Sequence, residues 1–581
     1  MSYQIKESPQ SYDVIIVGSG AGGGMASKIL SEAGLSVAVV EAGGDFDPAK
    51  EEDRTQLRPP WESPRRGAGT RVRPFGDFDQ AIGGWDIEGE PYTHKDGTKF
   101  DWFRSRMVGG RTNHWGRISL RFGPNDFKRA SIDGLGDDWP IGYDELKPYY
   151  DKVDKLIGVF GSKEGIYNEP DGFFLPPPKP RLHEMFLKKG ADKAGMPMIP
   201  GRLSMLTRPI NKERGTCFFC AQCNRACQVY ADFSAGTCLV HPAMKKGKVD
   251  LFTYSMVRKV TTDDSGKATG VSFVSKIDMK EYKLKSNVVV LGASACESAR
   301  IMMNSKSKTH PNGIGGDSGA LGRYLHDSTG ADRMGILPDL FERERYNEDG
   351  VGGMHMYTPW WLDNKKLDFA RGYHIEYWGG MGQPSYGAGG GMDTMRKYLK
   401  DEFGNPSPNG GYGEGLKNDI RRIYGSTLGM SGRGECIPRY ENYCEIDPNG
   451  TVDKYGIPVL RFNYNWTDQE LKQAKHMHDT FEEILTNAGA ILLGSKPGPE
   501  SNYGLHAPGR IIHEVGTTRM GNSPKGSVVN SNCQAHDCKN LFVVDAGSFV
   551  SQADKNPTWT ILALSWRTSE FIVDQLKQKN L

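Results

Sequence analysis

The chain has 581 residues, with 73 Lys and Arg against 71 Asp and Glu, a formal charge of +2, so no global basic field exists to hold nucleic acid or an anionic membrane surface. Its length allows several modules and a sizeable core. Apolar runs such as 288–291 and 491–493 fall far short of the ~18–20 residues of a membrane-spanning helix, and ten cysteines are too few for a disulfide scaffold.

Residues 1–11 are polar and carry neither a basic-then-apolar export signal nor a twin-arginine pair, so the protein is expected to stay in the cytoplasm or to leave it bound to a partner. Residues 12–17 (YDVIIV) read as a buried parallel strand, followed at once by Gly18, Ser19, Gly20, Ala21, Gly22 and Gly23. A helix is predicted over 26–33 with Gly34 as its stop, then a second strand over 36–40 that delivers Glu41. This order has a physical reason. Gly18 makes a tight turn, Gly20 lets backbone reach a pyrophosphate at the helix N-terminus, and Gly23 permits close helix–strand packing. Glu41 is placed to accept hydrogen bonds from an adenosine ribose, and an acid there favours an unphosphorylated ribose, hence FAD or NAD.

Cys217, Cys220, Cys223 and Cys227 follow the spacing C-x2-C-x2-C-x3-C, by which bacterial ferredoxins wrap an iron–sulfur cluster. Four thiolates this close repel one another unless a cation takes up the charge. An iron–sulfur cluster, 3Fe-4S or 4Fe-4S, is therefore expected, and Gln228 in place of the usual proline leaves a three-cysteine ligand set open. A structural zinc site is the rival, although zinc ribbons separate their C-x2-C pairs by a longer loop; disulfides or free thiols are the third option. Cys238 is a spare ligand or a buried thiol, and Cys296, Cys436, Cys444, Cys533 and Cys538 lack metal spacing.

Residues 541–544 read as a buried strand ending at Asp545, Ala546 and Gly547, and such strand ends are where α/β sheets bind ligands. Pro557 sets Asn556 in extended backbone ahead of an apolar helix predicted over 559–572. His513 precedes Asn556 by 43 residues. Taken alone, the two read as a core histidine and a helix cap.

With these segments in view, the chain resembles the glucose–methanol–choline (GMC) flavoprotein oxidoreductases. Three further stretches carry the likeness. Residues 107–115 (MVGGRTNHW), which include Gly110 and His114, are similar to the family's flavin-side glycine loop; 138–150 (DWPIGYDELKPYY) resembles a stretch recurring in its bacterial sugar dehydrogenases; and 288–300 (VVVLGASACESAR) resembles the second strand–turn–helix of its FAD domain.

The resemblance implies a Rossmann-like α/β FAD-binding domain with a discontinuous α+β substrate domain built on an antiparallel sheet. Residues 10–333 would form the FAD domain with a cysteine-cluster insertion at about 210–240, residues 334–505 the substrate domain, and residues 506–576 the completion of the FAD domain. The cofactor implied is FAD, contacted by Gly18, Gly20, Gly23, Glu41, Gly110, His114, Val257, Asp545 and Thr558. The general base implied is His513, with Asn556 hydrogen-bonding the same substrate hydroxyl. His114 either bonds covalently to the flavin or packs against it.

The activity implied is that of an FAD-dependent dehydrogenase oxidising a secondary hydroxyl of a sugar or glycoside, with ring carbon 3 as the suggested position and a 3-keto sugar as product. Electrons would leave through the iron–sulfur cluster to a cytochrome c. The alternatives are an oxygen-using oxidase with a structural cysteine metal site, a gluconate or polyol dehydrogenase, and a non-catalytic electron-transfer flavoprotein, which the presence of His513 and Asn556 argues against. In the cysteine-bearing subgroup a small subunit carries the export signal, so a bacterial, periplasmic enzyme is implied, with the cytoplasm as the alternative. Trp360 with Trp361, and Tyr377 with Trp378, offer flat faces for sugar stacking or core packing. The Gly- and Pro-rich stretch 379–415 is an active-site loop, a surface excursion or a docking site.

Overall fold

The computed structural model describes residues 5–50, 53, 83–220, 223, 227–344, 350–359, 366–381, 414, 418 and 421–581. Trp360, Trp361 and most of the stretch 379–415 lie outside the described residues.

The chain opens with strand β1 (Ile5–Val17), helix α1 (Ala21–Glu32) and strand β2 (Val37–Val40). Helices α2 (Tyr143–Ile157) and α3 (Leu182–Lys193) and the short strand β3 (Ile199–Pro200) follow. Next come β4 (Val249–Phe252), β5 (Ser255–Thr262), β6 (Ala268–Ser275), β7 (Glu281–Leu291) and α4 (Ala295–Asn304). Strands β8 (Thr329–Ile336), β9 (Met356–Thr358), β10 (Tyr373–Gly379) and β11 (Thr427–Gly434) precede helix α5 (Asp468–Asn487) and strand β12 (Ile491–Leu492). Strand β13 (Leu541–Val543) and helix α6 (Thr558–Lys577) close the chain.

Two sheets dominate. The first has seven strands in the order β5-β6-β7-β1-β2-β4, with β13 pairing the second half of β7. Its centre is parallel: β1 lies between β7 and β2, and β2 pairs β4. Val14, Ile15, Ile16 and Val17 are all buried, as a strand covered on both faces must be. Helices α1 and α6 pack together, and Ser565 of α6 donates its hydroxyl to the Gly22 carbonyl at 2.7 Å.

Helix α1 begins at Ala21, five residues earlier than its sequence predicts, because Gly22, Gly23 and Gly24 lie inside it. The glycines are there for proximity. A Cβ on Gly22 would meet the Val544 carbonyl oxygen at 2.2 Å, and one on Gly23 the Gly18 carbonyl oxygen at 1.9 Å. Packing of the helix start against two strand ends overrides the weak helix propensity of glycine.

The second sheet is antiparallel, in the order β12-β8-β11-β10-β9-β3. One of its faces is apolar and packs on α5 and α3: Ala331, Tyr373, Ile375, Tyr377, Leu428 and Met430 share a cluster with Met477, Phe481, Ile484 and Leu187. The helix α5 positions in that cluster recur at three- and four-residue spacing. Its first turn is fixed by a capping box in which the Thr467 amide donates to Glu470 at 2.7 Å. The other face of the sheet carries His374, Glu376, Ser431 and Arg433, and it looks toward the first sheet. Tyr377 belongs to the core face, 1% exposed with its hydroxyl 2.8 Å from Thr358, so of the two aromatics at 377 and 378 only Trp378 shares the polar face. The period of two along β10 separates them.

No helix among the described residues is long and apolar enough to cross a membrane.

Candidate active site

Both ends of the chain meet around one cavity of about 360 Å³. At one end β1 stops at Val17 and turns at Gly18, whose φ of +86° suits glycine. The Ser19 amide and hydroxyl donate to Glu41 Oε2 at 3.1 and 2.6 Å, the Gly43 amide donates to Oε1 at 2.9 Å, and the Gly109 amide donates to Ser19 Oγ at 3.0 Å. Glu41 thus pins the turn to the 107–110 loop. A carboxylate has about four acceptor positions, so one remains for a hydroxyl in the cavity.

Gly20 caps α1, and Gly110 approaches it so closely that a Cβ there would lie 3.3 Å from Gly20 Cα. A Cβ on Gly20 would meet nothing nearer than the Gly109 carbonyl at 4.0 Å. The first-turn amides of α1 therefore face the cavity across bare backbone, with no acceptor within their own helix. This cradle, the spare acceptor on Glu41 and the continuous cavity fit a dinucleotide of the FAD type.

Gly18, Gly20, Glu41, Gly110, His114, Val257, Asp545 and Thr558 all line the cavity. Gly23 does not; its place is the helix–strand contact described above. Asp545 accepts from the Gly547 amide at 2.9 Å and the Ser298 hydroxyl at 2.5 Å, and burial pushes it up to about 6. His114 Nε2 lies 3.1 Å from Ser105 Oγ, and burial, with Arg117 nearby, pushes the imidazole down to about 4.

The opposite end holds His513 and Asn556. His513 Nε2 is 3.3 Å from Asn556 Nδ2, and Nδ1 is 3.1 Å from Ser328 Oγ. Gln552 Nε2 donates to the same Ser328 oxygen at 2.7 Å. Burial, then Arg433, pushes His513 down to about 3, so the imidazole is neutral at ordinary pH. Asn556 Oδ1 is buried without a partner among the described residues.

Backbone holds the histidine in place. Asp327 accepts from the His513 amide at 2.8 Å, the Ser328 amide at 2.9 Å and the Ile511 amide at 3.2 Å. Burial, with Glu514 nearby, pushes this carboxyl up to about 7. Ile512, between them, has a φ of +65°, a strained conformation for a β-branched residue. Beside Asn556, Lys555 is 2% exposed and reaches Asp554 at 2.8 Å and Asp126 at 2.9 Å. Glu376 of β10 and Arg433 of β11 also line this end.

The four cysteines lie together in one loop without forming a ligand set. Among the described residues no three His, Cys, Asp or Glu side chains are grouped to hold a metal ion, and all ten cysteines are free. The Phe219 amide donates to Cys217 Sγ at 3.4 Å, while Cys223 is 6% exposed and packs with Leu203 and Val351. Burial pushes the Cys223 thiol up to about 12 and the Cys227 thiol up to about 11. The loop nevertheless borders the cavity wall: Arg117, next to the lining residue Gly116, donates to the Cys223 carbonyl and reaches Asp232 at 3.2 Å.

Several residues that shape the site give little sequence signal. Ser328, Asp327 and Gln552 are ordinary polar residues far from His513 in the chain. Glu376 and Arg433 stand in a region without motifs. Strict alternation along 373–377, with His374 and Glu376 between core residues, is the one local cue to the polar sheet face.

Family models described as GMC oxidoreductase match residues 12–329 and 438–565. The chain is similar to a 2-methyl-1,2-propanediol dehydrogenase of Mycolicibacterium austroafricanum, 26% identical over 97% of this chain and 96% of that protein. It is also similar to a fructose dehydrogenase large subunit of Gluconobacter japonicus, 24% identical over 98% of this chain and 99% of the other. Among solved structures, pyridoxine 4-oxidase from Mesorbium loti superposes with a TM-score of 0.59 at 17% identity, covering 96% of this chain and 98% of that one, a likeness of fold. With the nucleotide cradle and the His513 end joined by one cavity, the chain belongs to the GMC oxidoreductases, FAD-binding enzymes that act on CH–OH groups.

Proposed function

We propose that the chain is an FAD-dependent dehydrogenase that oxidises a secondary hydroxyl of a sugar or glycoside, ring carbon 3 included among the positions to test. The observation that carries the reading is the pairing of His513 Nε2 with Asn556 Nδ2 at 3.3 Å in the cavity that also contains the nucleotide cradle. The names of its relatives, a diol dehydrogenase and a fructose dehydrogenase, support a polyhydroxylated substrate. We further propose His513 and Asn556 as the catalytic pair, the cofactor contacts given above, and the division into a nucleotide-binding body (10–333 and 506–576) and a substrate body (334–505), with α3, β3 and the first residues of β8 joining the substrate body's sheet.

Bound flavin supplies the acceptor for the hydride that leaves the carbinol carbon. The chain's own residues handle the proton. With Nδ1–H donating to Ser328, Nε2 carries the lone pair, which accepts from the Asn556 amide until substrate enters. A substrate hydroxyl entering between the pair donates its proton to Nε2 and accepts from the Asn556 amide. Ser328 then keeps its hydrogen bond from Nδ1, and Glu376 offsets the positive charge that Arg433 already brings near the ring.

The electron acceptor belongs to the proposal as well. The spacing of Cys217, Cys220, Cys223 and Cys227 supports an iron–sulfur cluster, which these thiols would hold and which would supply single-electron transfer to a cytochrome; the large-subunit name of the fructose dehydrogenase relative supports a small partner subunit, with which the chain would be exported to the periplasm. Among the described residues the four thiols form no metal-holding group, and the proton transfer at His513 does not involve them. The second reading is an oxidase that reduces oxygen directly and whose cysteines hold a structural metal.

An anaerobic visible spectrum, taken before and after adding glucose, a methyl glucoside and gluconate, with iron and sulfide assayed on the same sample, tests both readings. Flavin bleaching by one sugar supports the dehydrogenase, and His513→Ala should lower the bleaching rate by ~100-fold or more while FAD stays bound. Bleaching that survives the substitution overturns the base assignment, and oxygen uptake in the absence of iron moves the reading to the oxidase.

A further inference from the structure

The face of the second sheet that looks into the cavity is unusually charged for a surface so little exposed. Along β10 the core residues Tyr373, Ile375 and Tyr377 alternate with His374 and Glu376; along β11, Leu428 and Met430 alternate with Ser431 and Arg433. In register, His374 stands opposite Arg433 and Glu376 opposite Ser431. The Glu376 side chain is 14% exposed and that of Arg433 is 19% exposed. Both line the cavity with His513 and Asn556.

Glu376 is held as an anion. Its Oε2 is 3.4 Å from Arg433 Nη2 and its Oε1 is 3.2 Å from His374 Nε2. The other nitrogen of His374, Nδ1, is fixed on the Asp554 carbonyl. Burial opposes ionisation, yet Arg433, then His374, holds the carboxyl down at about 2. A buried ion pair contributes little to stability compared with apolar packing of the same volume. This pair nonetheless stands at a cavity wall, with lone pairs on the carboxylate and N–H groups on the guanidinium left over from its internal contacts.

We infer that Glu376 and Arg433 form the substrate-recognition pair, gripping a hydroxyl adjacent to the one presented to His513. The carboxylate accepts from that hydroxyl and the guanidinium donates to an oxygen beside it. Such a pair is matched by a neutral vicinal diol, as in a pyranose ring. A substrate carboxylate would meet repulsion from Glu376, so aldonates bind more weakly than a neutral diol. This inference rests on the proposed role of His513, since the pair gains its meaning from the hydroxyl placed there.

The test compares cyclohexanol with trans-1,2-cyclohexanediol on the holoenzyme, two secondary alcohols that differ by the neighbouring hydroxyl, with gluconate as the anionic probe. Flavin reduction is followed anaerobically, and binding is read separately from the perturbation of the flavin spectrum in the His513→Ala holoenzyme. The diol is expected to bind at least ~10-fold more tightly than cyclohexanol, the range for a hydrogen bond to a charged group, and gluconate more weakly than the diol. Glu376→Gln should reduce the diol preference to within about threefold. Equal binding of the two alcohols, tight binding of gluconate, or a preference that survives Glu376→Gln overturns the inference. Should that variant lose FAD, the ligand ranking on the unsubstituted Glu376 enzyme decides alone. If neither alcohol reduces the flavin, the dehydrogenase reading fails, while the binding ranking still judges the pair.

Discussion

His513 Nε2 stands 3.3 Å from Asn556 Nδ2, and each of the two is held from behind by groups that do not line the cavity. Ser328 contacts Nδ1 of the imidazole, and Lys555 sits beside Asn556 in a cluster of buried carboxylates. The chemistry of the pair is therefore set as much by these supports as by the pair itself.

Ser328 is the first support to test. It gives the imidazole Nδ1 a partner and so keeps the Nε2 lone pair toward the substrate. Ser328→Ala removes that partner and leaves Gln552 Nε2 with only the Lys555 carbonyl, at 3.5 Å. One lost hydrogen bond of about 1 kcal/mol or somewhat more corresponds to a decrease in kcat of ~10-fold, with KM and FAD content nearly unchanged. Stopped-flow reduction across a pH series checks this. A rise in KM at constant kcat would mean that Ser328 serves binding rather than orientation.

Lys555 is the second support. Its ammonium is enclosed by Asp126, Asp554 and, at 3.8 Å, Glu169. These carboxylates hold it charged against burial. Lys555→Met would take the cation from Asp554 and leave Asp126 with Arg129 as its cation, at 3.1 Å, and breaking a buried ion pair costs about 3–5 kcal/mol. Denaturant unfolding of the FAD-loaded protein should show a loss of that size. A loss under about 1 kcal/mol would indicate that water reaches the cluster.

The nucleotide end was legible because its physics is local. A strand, a glycine turn, a helix and an acid follow one another within about 30 residues, and the Gly23 contact with Gly18 lies inside that same stretch. The helix start was misplaced by that same feature, since glycines read as turn residues here lie in the first turn of α1. His513 and Asn556 were legible through family resemblance. Ser328, Gln552, Glu376 and Arg433 reach the site through sheet register and loop packing over long sequence distances, and no short motif carries such a constraint. The cysteine spacing was legible as a motif, but spacing fixes proximity along the chain and not the direction in which each sulfur points.

Acid should weaken the fold before it abolishes protonation-sensitive chemistry. Burial pushes His513, His326 and His183 down to about 3 and His114 to about 4, against an ordinary histidine value near ~6.5. Between about pH 6.5 and about 4 the unfolded chain binds protons at these sites that the native chain does not, so stability falls as pH drops through that window. Asp327 at about 7 and Asp545 at about 6 act in the opposite sense, because there the native chain holds the proton. Four imidazoles outweigh two carboxyls. Urea unfolding at pH 7, 6 and 5 should give a falling midpoint, and a rising one would mean that the imidazoles are reached by water.

Gly20 and Gly23 separate cofactor binding from folding. Both stand in the glycine run, yet the space around them differs. A Cβ on Gly23 would come within 1.9 Å of the Gly18 carbonyl oxygen, which belongs to a turn fixed by Glu41 and β1 and has no freedom to move aside. Gly23→Ala should therefore push α1 off the sheet and lower stability by several kcal/mol, of the order of ~1–3 or more for overpacking, with FAD lost as a consequence. A Cβ on Gly20 meets only the Gly109 carbonyl at 4.0 Å, so Gly20→Ala leaves the chain's own packing intact. What it changes is the bare backbone across which the first-turn amides of α1 face the cavity. The apo protein should then unfold at the same denaturant concentration as the apo form with Gly20, while FAD affinity falls by ~10-fold or more, the equivalent of about 1.4 kcal/mol. Unfolding curves and FAD titrations on the two variants read the two effects separately. Equal FAD affinity in Gly20→Ala would remove the pyrophosphate from the α1 N-terminus, and a normally stable Gly23→Ala would mean that the helix can shift along the sheet to make room.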